Sequence, residues 1–274
     1  MPELPEVEVI RRGLAPQLAG RAVAGIAAGA RKLRKPVPRA RLKEWIAGGR
    51  IAAVERRAKF LLLRMESGAL LAFHLGMTGQ LALLPAAAPL RKHDHLRISL
   101  EGGLELRFND ARRFGFVEVH TPAELEVDPF AHLGPEPFGE ELTAAYLLER
   151  ASRHRKPVKC LLMDNAVVVG IGNIYASEIL FAAGIHPLAP AAGLDRRHWQ
   201  RVIDSSREVL ARAIAGGGTT ISDFVNAKGE SGRFQHQLQV YGRTGLPCPS
   251  CQAPVVRTVI AGRATFHCPR CQSG

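Results

Sequence analysis

Two short runs, Cys248-Pro-Ser-Cys251 and Cys268-Pro-Arg-Cys271, lie sixteen residues apart and decide how the end of this chain folds. Each pair sits on a tight turn, and four thiolates brought together close a tetrahedral zinc site. Because protein fills every coordination position, a single zinc ion here is expected to be structural, with none of its faces open to a substrate. Between the pairs, Val255 to Ile260 and Arg263 to His267 read as strands joined at Ala261-Gly262. That arrangement sets Arg263 beside the tip of a rigid hairpin, where spacing alone leaves it either a solvated turn charge or a functional one. The segment from about residue 238 reads as a further strand leading into the first cysteine turn.

Working outward, the chain of 274 residues is long enough for two cores of ordinary size. The fifth cysteine, Cys160, is expected to be a buried apolar residue. Cysteines this sparse do not make a secreted disulfide scaffold, and in a reducing compartment two C-x2-C pairs point to metal. No stretch approaches the roughly 18 apolar residues of a spanning helix. The N-terminus opens Pro-Glu-Leu-Pro-Glu, with acids where a signal peptide would carry bases, so an intracellular protein without a membrane partner is expected. Lys and Arg number 37 against 25 Asp and Glu, a formal charge of +12 that suits a polyanion.

Periodicity predicts a helix from about residue 5 to 18, with Pro5 in its first turn and Val7, Ile10, Leu14 and Leu18 on one face. Strands follow at Lys59 to Met65, Leu70 to His74, His95 to Leu100, Leu104 to Phe108 and Gly115 to His120. Residues 121–141, rich in proline and acid, read as a linker. Beyond it the period is helical through Leu142 to Ser152, Val158 to Met163 and Ile174 to Ala183.

Pro2 carries the most specific chemistry. Removal of Met1 leaves a secondary amine, which condenses with an aldehyde-level carbon to a cationic iminium, an electron sink for eliminations. The reference pKa of an α-amino group is about 8, and the positive end of the following helix lowers it further. Glu3 beside it either acts in that chemistry or complements the helix N-terminus, as Glu6 does. Arg56-Arg57-Ala58-Lys59-Phe60 is expected to enter a strand, alternation placing Arg57 and Lys59 on one face and Phe60 on the other.

Two glycines around Met77 in His74-Leu-Gly-Met77-Thr-Gly79 imply a turn that exposes the methionine. Asn109-Asp-Ala-Arg112-Arg-Phe114-Gly115 reads as a hairpin tip displaying arginines and an aromatic. Apolar wedges beside arginines are what a base-flipping protein inserts into the stack it has emptied. Gly170-Ile-Gly-Asn173-Ile-Tyr opens a helix whose N–H groups can face a phosphate. Before it, Arg153, His154, Arg155, Lys156 and Lys159 form a basic run, a solvated face or a phosphate grip. Residues 226–235 read as a lid or a plain connector.

Together, Pro2-Glu-Leu-Pro-Glu-Val-Glu8, Arg-Arg-Ala-Lys59, His-Leu-Gly-Met77, Lys-His93-Asp-His, Asp-Ala-Arg-Arg-Phe114-Gly, Gly-Ile-Gly-Asn173-Ile-Tyr-Ala-Ser-Glu and the zinc hairpin closely resemble the bacterial formamidopyrimidine-DNA glycosylases, over essentially the whole chain and in the same order. The resemblance implies an α+β fold: an N-terminal β-sandwich with an N-terminal helix (1–133), a helix-two-turn-helix DNA-binding domain (134–237) and a C-terminal zinc-finger β-hairpin (238–274). It implies damaged double-stranded DNA as partner, bound between the halves, with zinc as the only cofactor and no nucleotide cofactor. It further implies a monomer, working in the bacterial cytoplasm at the nucleoid.

Carried over by position, the resemblance implies that Pro2 is the nucleophile at C1′ and Glu3 the proton donor. Lys59 then serves β-elimination and Arg263 δ-elimination. His93, Arg112 and His154 match DNA-contact positions, His154 standing where the family often has Lys or Arg. Met77, Arg112 and Phe114 match the wedge, with Arg112 facing the orphaned cytosine. Lys159 and Asn173 match phosphate contacts, and the 226–235 loop matches one that closes over 8-oxoguanine. Ala111, where some members have proline, is a small departure. The sister enzymes resembling endonuclease VIII, which prefer oxidised pyrimidines, usually have glycine at the position of Leu4. The third reading is a zinc-finger DNA-binding protein without catalysis.

Overall fold

The computed structural model describes residues 2–153, 155–219 and 234–272. The chain forms two compact units. The first runs to Ala131 and takes in the residues around Gly216 to Thr219, and the second holds His132–Ala215 with the chain from Phe234 onward.

In the first unit, helix α1 (Leu4–Leu18) starts where Pro5 tolerates the lack of an N–H donor and buries Leu4, Val7, Ile10, Leu14 and Leu18 along one stripe. Eight strands follow: β1 (Val23–Ala28), β2 (Ile51–Arg57), β3 (Phe60–Met65), β4 (Leu70–His74), β5 (Gln80–Pro85), β6 (Asp94–Leu100), β7 (Leu104–Asn109) and β8 (Phe116–His120), with a one-turn helix α2 (Arg39–Arg41) after β1. They form two four-stranded antiparallel sheets, β1-β6-β7-β5 and β2-β3-β4-β8. One core joins Ile98, Leu106 and Phe108 of the first sheet to Leu61, Leu71 and Phe73 of the second and to the α1 stripe. The Phe73 and Phe108 rings meet edge to face at 5.8 Å. This is the expected β-sandwich with its N-terminal helix.

Three strands had no sequence signal. β1 is Val-Ala-Gly-Ile-Ala-Ala, without polar alternation, and β2 buries Ile51 and Val54, a three-residue spacing that imitates a helix. β5 was passed over as well.

The second unit holds α3 (Ala144–Ser152), α4 (Val158–Leu162), α5 (Asn173–Ala182) and α6 (Arg196–Ala215), then the hairpin β9 (Val256–Ile260) and β10 (Arg263–His267). α6 escaped the sequence reading although Trp199, Val202, Ile203, Ser206, Val209, Leu210 and Ala213 are buried at helical spacing. The strand expected from about 238 is not there. Instead the buried Glu178 of α5 accepts the backbone N–H groups of Gln239, Val240 and Tyr241 at 2.8, 3.0 and 2.8 Å, bonds a sheet partner would have taken. Among the described residues no helix is long and apolar enough to cross a membrane.

Candidate active site and metal centre

Pro2 and Glu3 are buried immediately before α1. Glu3 is its N-cap and forms a capping box: its N–H donates to the Glu6 carboxylate at 2.9 Å, and its own carboxylate takes the backbone N–H of Glu6. The other Glu6 oxygen accepts from the Thr219 N–H at 2.8 Å and from its hydroxyl at 3.0 Å. Gly218 has φ +78°, and a Cβ on it would lie 3.1 Å from that same oxygen, so the approach requires glycine. The positive end of α1 therefore points at the segment carrying Pro2.

One turn further along, Glu8 ties α1 to the turn between β2 and β3. It accepts from Arg11 and Arg12, and Arg56 lies 3.3 Å away while also donating to the Ala58 carbonyl at 3.0 Å. Burial alone would raise the Glu8 carboxyl, but the three guanidinium groups hold it at about 2. Lys59 is buried on this turn. The strand expected from Lys59 to Met65 begins instead at Phe60, which leaves Lys59 outside it. Arg57 pairs with Phe60 across a two-residue turn, with Ala58 at φ 54°, so strand alternation does not run through Lys59. The neighbouring His74 is pushed down to about 4 by burial, then by the charges of Lys59, Arg34 and Lys35, against Glu118. Its ring stacks on Phe116 at 5.0 Å.

Met77 and Phe114 are both exposed, at 39% and 44%, as a wedge requires. The Arg112 guanidinium lies over the Phe114 ring at 4.7 Å. The Asn109 to Gly115 segment is not a hairpin tip, however. β7 and β8 belong to different sheets, and the segment carries the chain from one sheet to the other. His93 is half-buried, and its carbonyl accepts the Asp110 N–H at 3.1 Å.

In the second unit, Lys159 is 1% exposed and so is no part of a solvated basic face. Its ammonium donates to Asn173 Oδ1 at 2.7 Å, Thr265 Oγ1 at 2.7 Å and the Ala264 carbonyl at 3.3 Å. The Asn173 amide donates to that carbonyl at 2.9 Å, so α4 and α5 together grip β10. Arg263 is exposed at the start of β10, after Ala261 and Gly262 with φ 47° and 73°. A cavity of about 210 Å³ is lined by Lys159, Met163, Asp164, Ile260, Arg263 and Cys160, which is half-buried where full burial was expected. His154 and residues 226–233 of the expected lid lie outside the described residues, as does Met1.

The Sγ atoms of Cys248, Cys251, Cys268 and Cys271 all lie within 4.8 Å of one another. Two of the separations are 3.8 and 3.4 Å, against the edge of about 3.8 Å that a tetrahedron with 2.3 Å Zn–S bonds requires. Hydrogen bonding from Cys251, with burial and the other thiols, pushes Cys271 up to about 12. The set fits one structural zinc.

Residues 1–117 match the Formamidopyrimidine-DNA glycosylase N-terminal domain, 133–225 the Formamidopyrimidine-DNA glycosylase H2TH domain and 245–274 the Zinc finger found in FPG and IleRS. The Formamidopyrimidine-DNA glycosylase of Stenotrophomonas maltophilia is 50% identical over 273 residues, covering 99% of this chain and 100% of the relative. The chain belongs to the formamidopyrimidine-DNA glycosylase family. The relative from Thioalkalivibrio sulfidiphilus is 47% identical over the same coverage. Among solved structures, the complex between Lactococcus lactis Fpg and an abasic site containing DNA aligns at TM-score 0.89 and 33% identity, covering 99% of this chain and 100% of that one. MutM with carbocyclic 8-oxo-G containing DNA aligns at TM-score 0.90 and 34%, covering both chains fully.

Sequence reasoning missed the residues that support these sites. Thr78, Asp110 and Glu178 were passed over, as was the Glu8 pairing with Arg56. Asp110 is fully buried and Glu178 nearly so. Their signal is a carboxylate inside a glycine- or alanine-flanked motif, but their partners lie 5 to 63 residues away.

Proposed function

We propose that this DNA glycosylase removes oxidised purines, 8-oxoguanine and formamidopyrimidines, from duplex DNA and then cleaves the strand through a Pro2 Schiff base. The Pro2 lone pair bonds to C1′, and the glycosidic bond breaks with its electron pair leaving on the base. The proton that Pro2 N sheds goes to the departing base, and the freed nitrogen lone pair then opens the C1′–O4′ bond onto a proton from Glu3, giving the iminium. Loss of a C2′ proton expels the 3′ phosphate by β-elimination, the step given to Lys59, and δ-elimination with Arg263 expels the 5′ phosphate. His93, Arg112 and His154 contact the DNA, Asn173 takes a phosphate at the start of α5, where the buried Lys159 ammonium holds its side chain and adds its positive charge to the phosphate position, and Met77, Arg112 and Phe114 fill the gap left by the base. Phosphate contacts make the affinity salt-sensitive.

The observation that carries this reading is the N-terminal cluster. A buried Pro2-Glu3 pair stands at a helix N-terminus, and Glu8 of that helix holds, through Arg56, the turn that bears Lys59. The reading includes the division at 133/134 and 237/238, a monomer without nucleotide cofactor or membrane partner, and a place in the cytoplasm at the nucleoid.

Borohydride reduction during incubation with an 8-oxoguanine duplex is expected to leave a covalent adduct, and a chain retaining Met1 to leave none, since its Pro2 is a tertiary amide. Absence of an adduct at saturating DNA overturns the reading, and preferential excision of thymine glycol replaces the purine substrate with a pyrimidine one.

A further inference from the structure

The two loops that display Met77 and Arg112 are locked together by one hydroxyl. Thr78 Oγ1 donates to Asp110 Oδ1 at 2.6 Å and accepts the backbone N–H of Arg112 at 3.3 Å. Asp110, fully buried, uses its second oxygen to accept the Gly115 N–H at 2.8 Å, and its carbonyl accepts from His95 Nε2 at 2.9 Å. The carboxylate thus closes the Ala111 to Phe114 excursion at its base and reaches across to the loop that carries Met77.

Backbone packing leaves no slack around this link. Gly76, at φ +62°, would set a Cβ 2.4 Å from Gly115 N, and a Cβ on Gly115 would fall 2.7 Å from the His74 carbonyl oxygen. The Gly79 N–H closes its own loop onto the Leu75 carbonyl at 2.9 Å. Arg113 adopts φ 57°, which turns the chain sharply between Arg112 and Phe114. Met77, Arg112 and Phe114 are exposed on this frame. Thr78 thus touches the second loop twice, through the Asp110 carboxylate and through the backbone of Arg112.

We infer that Thr78 is a positioning residue for opposite-base recognition: its hydroxyl sets the backbone of Arg112 relative to Met77, and so decides how sharply the enzyme discriminates cytosine from adenine opposite the lesion. This rests on the proposed reading that Met77, Arg112 and Phe114 enter the duplex. Without the hydroxyl, Arg112 keeps its charge and its stacking on Phe114 but loses the register that aims its planar donors at one base edge.

The test compares single-turnover excision of 8-oxoguanine opposite cytosine and opposite adenine in wild type, Thr78→Val and Thr78→Ser, with borohydride trapping at a preformed abasic site measured in parallel. Losing one charge-assisted and one backbone hydrogen bond is expected to cut the cytosine-over-adenine ratio by about tenfold in Thr78→Val. Thr78→Ser restores it to within about twofold, while abasic-site trapping falls far less than the ratio in either variant. A folded Thr78→Val with the wild-type ratio overturns the inference, and so does Thr78→Ser behaving like Thr78→Val. Should the valine crowd the site and prevent folding, Thr78→Ala removes the same hydroxyl without added bulk and is judged by the same ratio. Wild type that traps on no DNA would instead defeat the proposed function.

Discussion

The zinc hairpin and the paired loops that carry Met77 and Arg112, proposed above to act as a wedge, both present an arginine beside a turn, but they are stiffened by opposite means. In the hairpin, four thiolates within a 24-residue stretch converge on one point, and Lys159 with Asn173 clamps β10 from the side. The wedge loops come from stretches 32 residues apart at their link, Thr78 to Asp110, and rely on one carboxylate and on glycines that let the backbones touch. A metal site concentrates its stabilisation in a few bonds, and hydrogen-bonded loops spread theirs over many weak ones. The difference teaches where each is vulnerable: the hairpin fails all at once, the wedge by degrees.

Removing one ligand attacks the concentrated design. Cys268→Ser is expected to lower bound zinc from one equivalent to a small fraction, melt the hairpin and abolish strand cleavage, because zinc in such sites contributes on the order of 10 kcal/mol to folding. Metal analysis with a cleavage assay checks it, and a chelator should reproduce the loss in wild type. Retention of cleavage with no zinc bound would show that the clamp suffices without the metal.

The clamp itself comes next. Lys159→Met keeps the stem but takes the ammonium donor from Asn173 Oδ1 and Thr265 Oγ1, leaving the Ala264 carbonyl only its bond from Asn173, at a cost of roughly 3 kcal/mol. Urea unfolding measures it. A smaller loss with zinc bound than with zinc chelated would reveal that metal and clamp hold the same hairpin redundantly.

The smallest effect belongs to the wedge side. His74 Nδ1 accepts the Gly76 N–H at 3.1 Å, and this imidazole titrates near 4 in the fold against about 6.5 when unfolded. The unfolded chain takes up the proton first, so the stability tied to neutral His74 is complete above 6.5 and is lost as the pH falls from there to 4. Glu8, held at about 2, contributes its own loss only below about 4.5. Stability followed between pH 7 and 4 should therefore decline by at most about 3 kcal/mol in wild type and more gently in His74→Gln. Equal slopes would place the titrating group elsewhere.

How much of this was legible beforehand follows from the range of each interaction. Helix α1 could be read from Pro5 and its apolar stripe, the metal centre from cysteine spacing, and the exposure of Met77 from the glycines beside it, since each signal lies within a turn or two of chain, whereas Phe114 is exposed on a crossing between sheets and not on the hairpin tip expected. α6 was equally legible, its buried positions keeping strict helical period. β1 and β2 were not, because alanine-rich edges carry no alternation and a strand's partner, not its own residues, completes it. Residue types and their order determined the family, the zinc and the chemistry open to Pro2. Only the tertiary structure decided that Lys59 sits on a turn, that the Asn109 to Gly115 segment crosses between sheets, and that Thr78, Asp110 and Glu178 do the holding. A carboxylate's role depends on which donors surround it, and those donors are brought to it by folding from positions the local sequence does not contain.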